Sequence, residues 1–435
     1  MFLPETILYC IHKLESAGFA AYAVGGCVRD ACLGLKPHDY DLCTCALPEQ
    51  TEAVFRDHRL ILAGKKHGTV AVVIRGEVVE ITTFRTEGAY ADNRHPDWVA
   101  FVPHVEEDLA RRDFTVNAMA YSPARGYVDP FGGREDLQRG ILRAVRDPRA
   151  RFSEDSLRIL RGIRFASRFR LTIDPETEAA MQALAPRMEN LARERVFEEL
   201  TKLLPTLTAE EVVRFAPILS AVIPELAPLI GFDQRSPHHA YDLLTHVAHV
   251  VDRVPKEPAI RWAALLHDVG KVPTFTQDET GRGHFYGHGP ESARMADAIL
   301  RRLKSPNDLR ERVVLLIEKH MTRPLADKKF LRRQLSRLGW EAFSQLLQLQ
   351  QADMDSKGVE EPGPDYAEIY RLLREIRQEN ACLTVKDLAV NGRDLMALGI
   401  RGKALGEMLN LLLEQVLDEA LPNERTALLD FAQKQ

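Results

Sequence analysis

Two aspartates separated by one residue, Asp39 and Asp41, are the feature that most constrains the fold of this chain. The spacing predicts a strand across both residues, because alternate side chains of a strand share a face and would place the carboxylates about 6–7 Å apart. That separation suits a shared pair of divalent cations. Hard carboxylate oxygens favour Mg²⁺, which keeps most of its waters and bridges to phosphate groups. We therefore predict a magnesium-binding strand early in the chain, with Asp39 and Asp41 as catalytic ligands.

A glycine pair precedes the aspartates, in the sequence VGGCVRD at residues 24–30. Gly25 and Gly26 lack Cβ atoms, so their backbone N–H groups can approach a polyphosphate closely. Arg29 supplies a planar, bidentate donor. A plain Gly-Gly turn and two solvent-facing aspartates would be the ordinary interpretation of either half alone. Their adjacency favours a triphosphate-binding loop beside a two-metal site.

The residues at 25–30 and 39–41 together resemble the signature of the class II tRNA nucleotidyltransferases and bacterial poly(A) polymerases, of the polymerase-beta-like superfamily. The resemblance extends to about residue 165. It implies a nucleotidyltransferase head that uses Mg²⁺ to extend an RNA 3′ end without a template. For members of the CCA-adding type, the implied partners are tRNA, CTP and ATP.

Length and composition restrict the remaining possibilities. A chain of 435 residues exceeds one ordinary core, so about two to four domains are expected. A net charge of −5 argues against a uniformly basic surface but leaves room for a local basic groove. Residues 1–18 have an amphipathic pattern and no apolar run reaches eighteen residues, which predicts a first helix, no signal peptide and no membrane span. Six cysteines without paired zinc spacing indicate a cytoplasmic protein with reduced thiols.

A predicted β-hairpin carries a further acid. Residues 69–74 and 77–84 are rich in β-branched residues and flank a central glycine. Glu80 interrupts the second of these stretches, and an acid there is either an edge-strand residue or a metal ligand. The family also has an acidic residue on this hairpin, so Glu80 is the candidate third catalytic carboxylate. The polar residues 85–97 that follow predict a loop over the site, although an ordinary surface loop has the same composition.

The sequence RRDFTVNA at residues 111–118 places two guanidinium groups beside an acid and an amide. Arg111 and Arg112 suit phosphate oxygens. Asp113 can accept from ribose hydroxyls, and Asn117 can donate or accept. A charged helix start with local ion pairs is the alternative. The run matches the family's RRDFT motif, which implies contacts with triphosphate and sugar.

A basic helix is predicted to begin near residue 153, with Asp155, Arg158 and Arg161 at three-residue spacing on one face. A surface ladder of salt bridges commonly has the same spacing. Cytosine and adenine both carry an amino group next to a ring nitrogen that accepts a hydrogen bond. A carboxylate could accept from that amino group while a guanidinium donates to the ring nitrogen, so the pair would select cytosine and adenine against uracil and guanine. The family's EDxxR motif falls here and implies this role, with Glu154 orienting Arg158.

Arginines continue along and around the same helix, including Arg161, Arg164 and Arg168. Residues 139–170 form the most basic segment of an otherwise acidic chain, which favours a track for an RNA backbone. A solvated helix face accounts equally well for about half of these arginines.

A second group of chemistry-bearing residues lies in the helical part of the chain. His246, the pair His267-Asp268, and Asp353 interrupt apolar helical patterns. Burying such groups costs free energy unless they bind something, and a divalent transition metal is a reasonable guest. Any one of the histidines alone would more often be structural. The ordered set resembles the HD phosphohydrolase superfamily, which implies a divalent metal site. The further candidates near that site are Lys271, His288 and His320.

The expected fold class is an α/β nucleotidyltransferase head, a small mixed sheet with helices, followed by an elongated all-α region that includes a helical HD domain. Strand patterns largely vanish after about residue 135. The predicted domains are a head (1–135), a helical neck and body (136–235), an HD domain (236–360) and a helical tail (361–435).

Together with these patterns, the two resemblances imply a template-independent tRNA nucleotidyltransferase of the CCA-adding type, with a second phosphatase or phosphodiesterase activity in the HD domain. A CC-adding or A-adding enzyme, or a poly(A) polymerase, would share every head motif. A hypothesis from another functional class is that the chain acts chiefly as an HD phosphohydrolase and that its head is a relic. A further hypothesis is that the chain is purely an RNA-binding scaffold. Intact residues in the head argue against a relic, namely Asp39, Asp41, Arg112, Asp113 and Arg158.

Overall fold

The computed structural model describes residues 1–87, 99–238, 240–359 and 362–435. These residues form two compact units, the first comprising Met1–Ala227 with Arg302–Ser305 and the second Pro228–Arg301 with Pro306–Gln435. Most of the polar loop predicted at 85–97 lies outside the described residues. The boundaries between the four predicted domains remain predictions.

The first unit begins with mixed helices and strands and continues mainly as helices. Its strands are β1 (Ala21–Val24), β2 (Asp41–Thr44), β3 (Arg59–Ile61), β4 (Thr69–Ile74), β5 (Glu77–Thr83), β6 (Arg85–Glu87), β7 (Val99–Phe101), β8 (Ala120–Ser122), β9 (Gly126–Val128), β10 (Ile141–Leu142) and β11 (Thr172–Ile173). Its helices are α1 (Glu5–Ser16), α2 (Gly26–Cys32), α3 (Pro48–Val54), α4 (Val105–Ala110), α5 (Gly133–Arg139), α6 (Pro148–Glu154), α7 (Leu157–Phe169), α8 (Pro175–Leu184), α9 (Arg193–Leu203) and α10 (Ala209–Leu219). The predicted first helix is α1.

Seven of the described strands form one sheet in the order β3-β4-β5-β2-β1-β8-β9. β2 and β5 run parallel, whereas the other neighbours run antiparallel. The predicted hairpin is confirmed, because β4 and β5 pair across a two-residue turn in which Arg75 (φ 51°) and Gly76 (φ 87°) both have positive φ. Such turns match the twist of the flanking strands. The small mixed sheet with helices that the sequence predicts is thus confirmed.

The prediction that one strand carries both Asp39 and Asp41 is wrong for Asp39, since β2 begins at Asp41. Asp41 lies opposite Val24, the last residue of β1. The chain then turns into α2 at Gly26, so the pairing of β1 with β2 stops there. Asp39 is therefore held by the loop that leads into β2.

The basic helix predicted from residue 153 is two helices instead of one. α6 ends at Glu154, Asp155 has an extended backbone (φ −142°, ψ 101°), and α7 starts at Leu157. Asp155 Oδ1 accepts the Leu157 N–H at 3.1 Å, a local bond that competes with helix continuation. Asp155 therefore does not share a helix face with Arg158 and Arg161, as the spacing had predicted.

An apolar cluster covers one face of the sheet and includes Tyr22, Val24, Cys43, Phe84, Val105, Leu109, Ala118, Ala120 and Val145. Cys43 is 1% exposed and lies two residues after Asp41, so both side chains point to the same face of β2. Asp41 consequently marks the place where this face passes from buried core to solvent.

The second unit consists largely of helices, as predicted. They are α11 (Leu243–Arg253), α12 (Pro258–Leu266), α13 (His288–Arg302), α14 (Asn307–Lys319), α15 (Lys328–Asp355), α16 (Tyr366–Gln378), α17 (Gly392–Ala397), α18 (Lys403–Leu417) and α19 (Arg425–Gln433). A short antiparallel pair, β12 (Thr276–Gln277) and β13 (Gly283–His284), was not predicted. Among the described residues, no helix is both long and apolar enough to cross a membrane.

Gly270 allows the turn after α12 to lie directly against α13. Its N–H donates to Ser292 Oγ at 2.9 Å. A Cβ atom at Gly270 would lie 2.5 Å from the backbone nitrogen of Ser292 and 2.8 Å from the carbonyl oxygen of His288. This close approach fixes the His267-Asp268 turn relative to His288.

Replacing Gly270 by alanine should lower the free energy of unfolding of the second unit by about 1–3 kcal/mol, because the new methyl group meets backbone atoms that cannot rotate away. The matched control is Gly406→Ala in α18, where a Cβ meets nothing within 4 Å. The control should stabilise the helix by about 0.5–1 kcal/mol. Urea unfolding followed by circular dichroism measures both changes, and equal stability of the two variants would contradict the tight contact at Gly270.

Candidate nucleotide site and metal centre

A cavity of about 720 Å³ in the first unit collects most of the residues predicted for nucleotide binding. The predicted residues on its wall are Gly25, Gly26, Arg29, Asp41, Arg111, Arg112, Asp113, Asn117, Asp155, Arg158, Arg161 and Arg164. The wall does not include Asp39, Glu80 or Glu154. The end of β2, the 111–118 segment and α7 thus face one common space.

Gly25 lets an arginine lie against the backbone of this wall. Gly25 has φ +75°, and a Cβ atom there would lie 2.7 Å from Arg112 Nη1. The Gly25 N–H donates to the Met119 carbonyl oxygen at 2.9 Å. Both the positive φ and the close guanidinium require glycine at this position.

Arg29, predicted as a triphosphate donor, is largely committed to protein acceptors. It donates twice to Asp30 Oδ1, at 2.8 and 2.6 Å, and once to Asn117 Oδ1 at 2.6 Å. Its guanidinium lies 4.3 Å from the centroid of the Phe169 ring, and burial lowers the pKa of Arg29. Arg29 therefore holds Asn117 and the end of α7 in place at the cavity wall.

Arg111 and Arg112 share one buried carboxylate that the sequence analysis missed. Asp108 is 1% exposed and accepts from Arg111 Nε at 2.9 Å and from Arg112 Nη2 at 3.3 Å. Burial acts to raise the pKa of Asp108, but the two arginines bring it below its ordinary value. The sequence did contain a signal for this contact, since Asp108 precedes the arginines by three and four residues, a spacing that brings side chains together on a helix. α4 ends before Arg111, so the run does not start an α-helix, whereas the local ion pairs of that alternative are present.

Asp113 joins the 111–118 segment to α7. Its Oδ2 accepts from Arg161 Nε at 2.8 Å, and its Oδ1 accepts from the Phe114 N–H at 2.8 Å and from Asn117 Nδ2 at 3.1 Å. Burial acts to raise the pKa of Asp113, but Arg161, Asn117 and Arg158 lower it to about 2. Asp113 is therefore ionised at neutral pH and tied on both oxygens.

Asp41 faces the cavity beside a second negative charge. Burial raises the pKa of Asp41, the nearby Arg112 acts to lower it, and the Asp39 carboxylate raises it further. Like charges held near one another favour uptake of a proton or a cation. The donor set at the end of β2 therefore fits a divalent cation.

Glu80 is brought to the same end of the sheet by strand register. Leu42 of β2 pairs with Ile81 of β5 in the parallel ladder, and Glu80 precedes Ile81 as Asp41 precedes Leu42. The register therefore sets Glu80 beside Asp41 on one face. Glu80 is exposed, which leaves its carboxylate accessible to solvent and ions.

The residues of the EDxxR motif form two separate ion pairs. Arg158 donates to Glu154 Oε2 at 3.0 Å and to the Arg111 carbonyl oxygen at 2.9 Å. Asp155 Oδ2 accepts instead from Arg195 Nη2 at 2.8 Å. Arg195 lies on α9 and was not identified from sequence, because its partner is 40 residues away. Asp155 and Arg158 both line the cavity, but each already has a protein partner.

A second pair couples α7 to α9. Arg164 Nε donates to Glu199 Oε1 at 2.5 Å, and both residues are buried, at 9% and 5% exposure. The guanidinium of Arg164 also lies 4.4 Å from the centroid of the Phe165 ring. Arg164 therefore ties α7 to α9 and also lines the cavity.

In the second unit, the four residues predicted as metal ligands lie together. His246 Nε2 is 3.0 Å from Asp353 Oδ1 and 3.4 Å from Asp268 Oδ2, and His267 Nε2 is 3.2 Å from Asp268 Oδ2. Asp268 Oδ2 also lies 2.8 Å from Lys271 Nζ. The ligand atoms of His246, His267 and Asp268 all fall within 4.8 Å of one another. Separate helices have therefore brought the HD-type set to one point.

The histidines of this group share one orientation. Nδ1 of His246 lies 3.2 Å from the Ser356 carbonyl oxygen, and Nδ1 of His267 lies 2.8 Å from that of Ala264. A backbone carbonyl on Nδ1 is the usual support for a metal-binding Nε2. Burial acts to lower the pKa of His246, but hydrogen bonds to Asp268 and Asp353 raise it to about 9. The ligand set therefore attracts positive charge, as a divalent cation would require.

Models of three known protein domains match successive parts of this chain. The model of the Poly A polymerase head domain matches residues 21–143. A model of an RNA- and SrmB-binding site of polymerase A matches residues 170–230, and one of tRNA nucleotidyltransferase domain 2 matches residues 290–432.

Relatives that match nearly the whole length of this chain are CCA-adding enzymes. The CCA-adding enzyme of Streptococcus mutans is 33% identical over 437 residues, covering 99% of this chain and 97% of the relative. That of Streptococcus suis is 35% identical, covering 98% and 96%. The Bacillus stearothermophilus CCA-adding enzyme, solved in complex with CTP, is 29% identical with a TM-score of 0.76, covering 100% of this chain and 98% of that one. The Thermotoga maritima enzyme complexed with tRNA, at 22% identity and a TM-score of 0.59, shares the fold across 99% and 95% of the two chains. Given identity above 30% along nearly its entire length, this chain belongs to the family of CCA-adding enzymes.

Proposed function

We propose that this protein adds or repairs the 3′-terminal CCA of tRNA, using CTP and ATP and no nucleic-acid template. The observation that carries the proposal is the shared cavity, in which Asp41, Asp113 and the Asp155/Arg158 pair line one space. The CTP complex of the Bacillus stearothermophilus relative supports CTP as a substrate. All six cysteines are free thiols, which supports a cytoplasmic location.

Asp39, Asp41 and Glu80 would hold Mg²⁺ at the cavity edge. Mg²⁺ in such a site makes an RNA 3′-hydroxyl more acidic and stabilises a leaving pyrophosphate. Asp41 would be the central ligand, because its carboxylate is influenced by that of Asp39 and strand register sets Glu80 beside it. The three carboxylates would thereby set where the hydroxyl approaches the α-phosphate.

Arg111 and Arg112 would bind the triphosphate. Asp108 neutralises part of their charge and sets their orientation, while Arg112 also packs against Gly25. Asp113 and Asn117 would line the ribose end of the cavity. Asp113 accepts from Arg161 and Asn117 accepts from Arg29, so both side chains are held in fixed positions.

Asp155 and Arg158 would select cytosine and adenine. Arg158 is oriented by Glu154, as the family resemblance implies, and points into the cavity with Asp155. Asp155 must exchange or share its bond to Arg195 when it accepts from a base amino group. The cost of that exchange is offset only by a base that offers an amino donor next to a ring acceptor.

The second unit supports a second activity, metal-dependent hydrolysis of phosphate esters. The specific observation is the group of two imidazoles and two carboxylates at His246, His267, Asp268 and Asp353, of which the first three are buried. These ligands suit a divalent transition metal. Lys271, 2.8 Å from Asp268, would supply positive charge for the phosphate.

The first test uses tRNA transcripts that end at the discriminator base, at C or at CC, incubated with Mg²⁺ and CTP, ATP or both. We expect CCA on the first transcript and completion of the other two on a sequencing gel. Addition of adenosine alone, addition of cytidine alone, or long adenosine tails would identify an A-adding enzyme, a CC-adding enzyme or a poly(A) polymerase instead.

Matched variants test the carboxylates in the same assay. Asp41→Asn should lower the rate of addition about a thousandfold, a loss of about 4 kcal/mol of transition-state stabilisation. Glu80→Gln should lower it at least tenfold, whereas Glu77→Gln, another exposed acid on β5, should not. Equal rates for the two glutamine variants would remove Glu80 from the site.

Asp155→Asn should relax base selection, because an amide can donate as well as accept. We expect the preference for CTP and ATP over UTP and GTP, measured as a ratio of kcat/KM values, to fall about 10- to 100-fold. Glu176→Gln, an exposed acid on α8, is the control. A uniform fall in kcat/KM for all four triphosphates would mean that Asp155 serves only to hold Arg195.

The two activities should separate by mutation. His267→Ala and Asp353→Asn should abolish metal-dependent release of p-nitrophenol from p-nitrophenyl phosphate, assayed with Mg²⁺, Mn²⁺ or Ni²⁺, and should leave CCA addition unchanged. Asp355→Asn is the control, since Asp355 is exposed on the same helix as Asp353. Hydrolysis at the wild-type rate by Asp353→Asn would rule out the proposed second activity.

A further inference from the structure

We propose that Arg146 binds a backbone phosphate near the 3′ end of the RNA, in a second cavity of the first unit that adjoins the nucleotide cavity. The inference rests on the proposed addition of nucleotides to RNA, and it names a residue that holds the RNA chain rather than the triphosphate.

The second cavity, of about 250 Å³, shares two arginines with the nucleotide cavity. Arg111 and Arg158 line both spaces. The glycine pair at 25–26 and Asp41 line the nucleotide cavity alone. A phosphate in the second cavity would therefore belong to a group other than the triphosphate held at the glycine pair and the metal carboxylates. The rest of the second wall consists of Thr86, Glu107, Ala110, Arg146, Arg151 and Glu154.

The charges on this wall favour a phosphodiester over a free polyphosphate. Four of its eight residues are arginines and two are glutamates, so positive charge prevails, but the Glu107 carboxylate is exposed among them. That carboxylate would repel a pyrophosphate or a triphosphate, each of which carries several negative charges. A phosphodiester carries one negative charge and lies next to a ribose hydroxyl that can donate to Glu107. The cavity thus matches one linkage of an RNA chain.

Arg146 is the arginine of this wall whose guanidinium is available to a ligand. The other three donate to carboxylates of the protein. Arg146 is exposed, and within the described parts of the chain no carboxylate lies at ion-pair distance from it. Its guanidinium carbon lies 5.6 Å from the centroid of the Phe131 ring, a weak contact that leaves the N–H donors unused. Arg146 can therefore offer a planar pair of donors to a phosphate.

The backbone of Arg146 has a conformation that glycine adopts more easily. Its φ is 59°, in the left-handed region where the Cβ atom of an L-residue is strained. The turn is fixed on both sides, because the Val145 N–H donates to the Asp113 carbonyl oxygen at 3.1 Å and Asp147 caps α6. Glycine would make this turn without strain. Since strain of this kind persists mainly at functional sites, the arginine side chain serves a purpose other than the turn.

Extension of a tRNA transcript that ends at C, with CTP and Mg²⁺, tests the contact in the full-length protein. Arg146→Gly should raise the KM for the transcript about tenfold, the loss expected for one charge-assisted hydrogen bond, and should leave the KM for CTP unchanged. Arg146→Lys should recover most of the lost affinity, because an ammonium group also binds phosphate.

Arg75→Gly is the matched control. Arg75 also has positive φ, at 51°, its side chain is 76% exposed, and it lines neither cavity. The same substitution there should relieve the same kind of backbone strain and leave the KM for the transcript unchanged. An equal rise in this KM for both glycine variants would mean that loss of any surface arginine weakens RNA binding, and would overturn the specific contact at Arg146.

Two binding measurements separate a phosphate contact from an indirect effect on the fold. The Kd of the transcript is measured by fluorescence anisotropy between about 50 and 200 mM KCl, and the slope of log Kd against log salt concentration should fall by about 0.7 in Arg146→Gly, the value for one single-strand phosphate. A transcript with a neutral methylphosphonate at one or other of its last three linkages should bind wild type about tenfold more weakly and should lose nothing further with Arg146→Gly.

Thermal unfolding shows whether the side chain serves the fold instead. Arg146→Gly should melt at or above the melting temperature of wild type, because glycine relieves the left-handed backbone. An unchanged KM for the transcript would overturn the proposal, and a rise in the KM for CTP alone would assign the phosphate to the nucleotide instead of the RNA. If wild type adds no nucleotide, the proposed function fails, whereas the salt slope and the methylphosphonate transcripts still decide for or against Arg146.

Discussion

The nucleotide cavity depends on buried carboxylates that hold arginines apart. Arg29, Arg112, Arg161 and Arg164 converge on one space, and their charges would repel one another in the absence of counterions. Asp30, Asp108, Asp113 and Glu199 each accept from one of them at hydrogen-bond distance. The result is a wall with a fixed pattern of donors rather than a diffuse positive surface, which explains how a chain of net charge −5 can present a cavity lined by many arginines.

Sequence patterns predicted the parts of the first unit that depend on local spacing. The hairpin at β4 and β5 follows from β-branched runs around Arg75-Gly76, and the 111–118 run shows its two arginines directly. The partner of Asp155 could not be predicted, because Arg195 lies 40 residues further along the chain and is brought near by the packing of α9 on α7. The helix break at Asp155 was also missed, because the Asp155 side chain accepts from the Leu157 N–H and this local bond outweighs the helical pattern on both sides.

In the second unit, the order of histidines and aspartates indicated a metal site, while its extent came from the fold. His246, His267, Asp268 and Asp353 were predictable as a set, since each interrupts an apolar pattern. His288 and His320 were predicted only as further candidates near that site. The approach of α13 to the α12 turn, which Gly270 permits, brings His288 Nε2 to 3.5 Å from Asp268 Oδ1.

The parallel pair of β2 and β5 has a consequence for how such a chain can diverge. Asp41 and Glu80 lie side by side only because Leu42 is in register with Ile81. A single-residue insertion within β5 would turn Glu80 to the opposite face of the sheet. Insertions at the Arg75-Gly76 turn, in contrast, would lengthen the hairpin without moving that pair. Insertions and deletions among related sequences should therefore be common at the tip of the hairpin and rare in the few residues between the tip and Ile81.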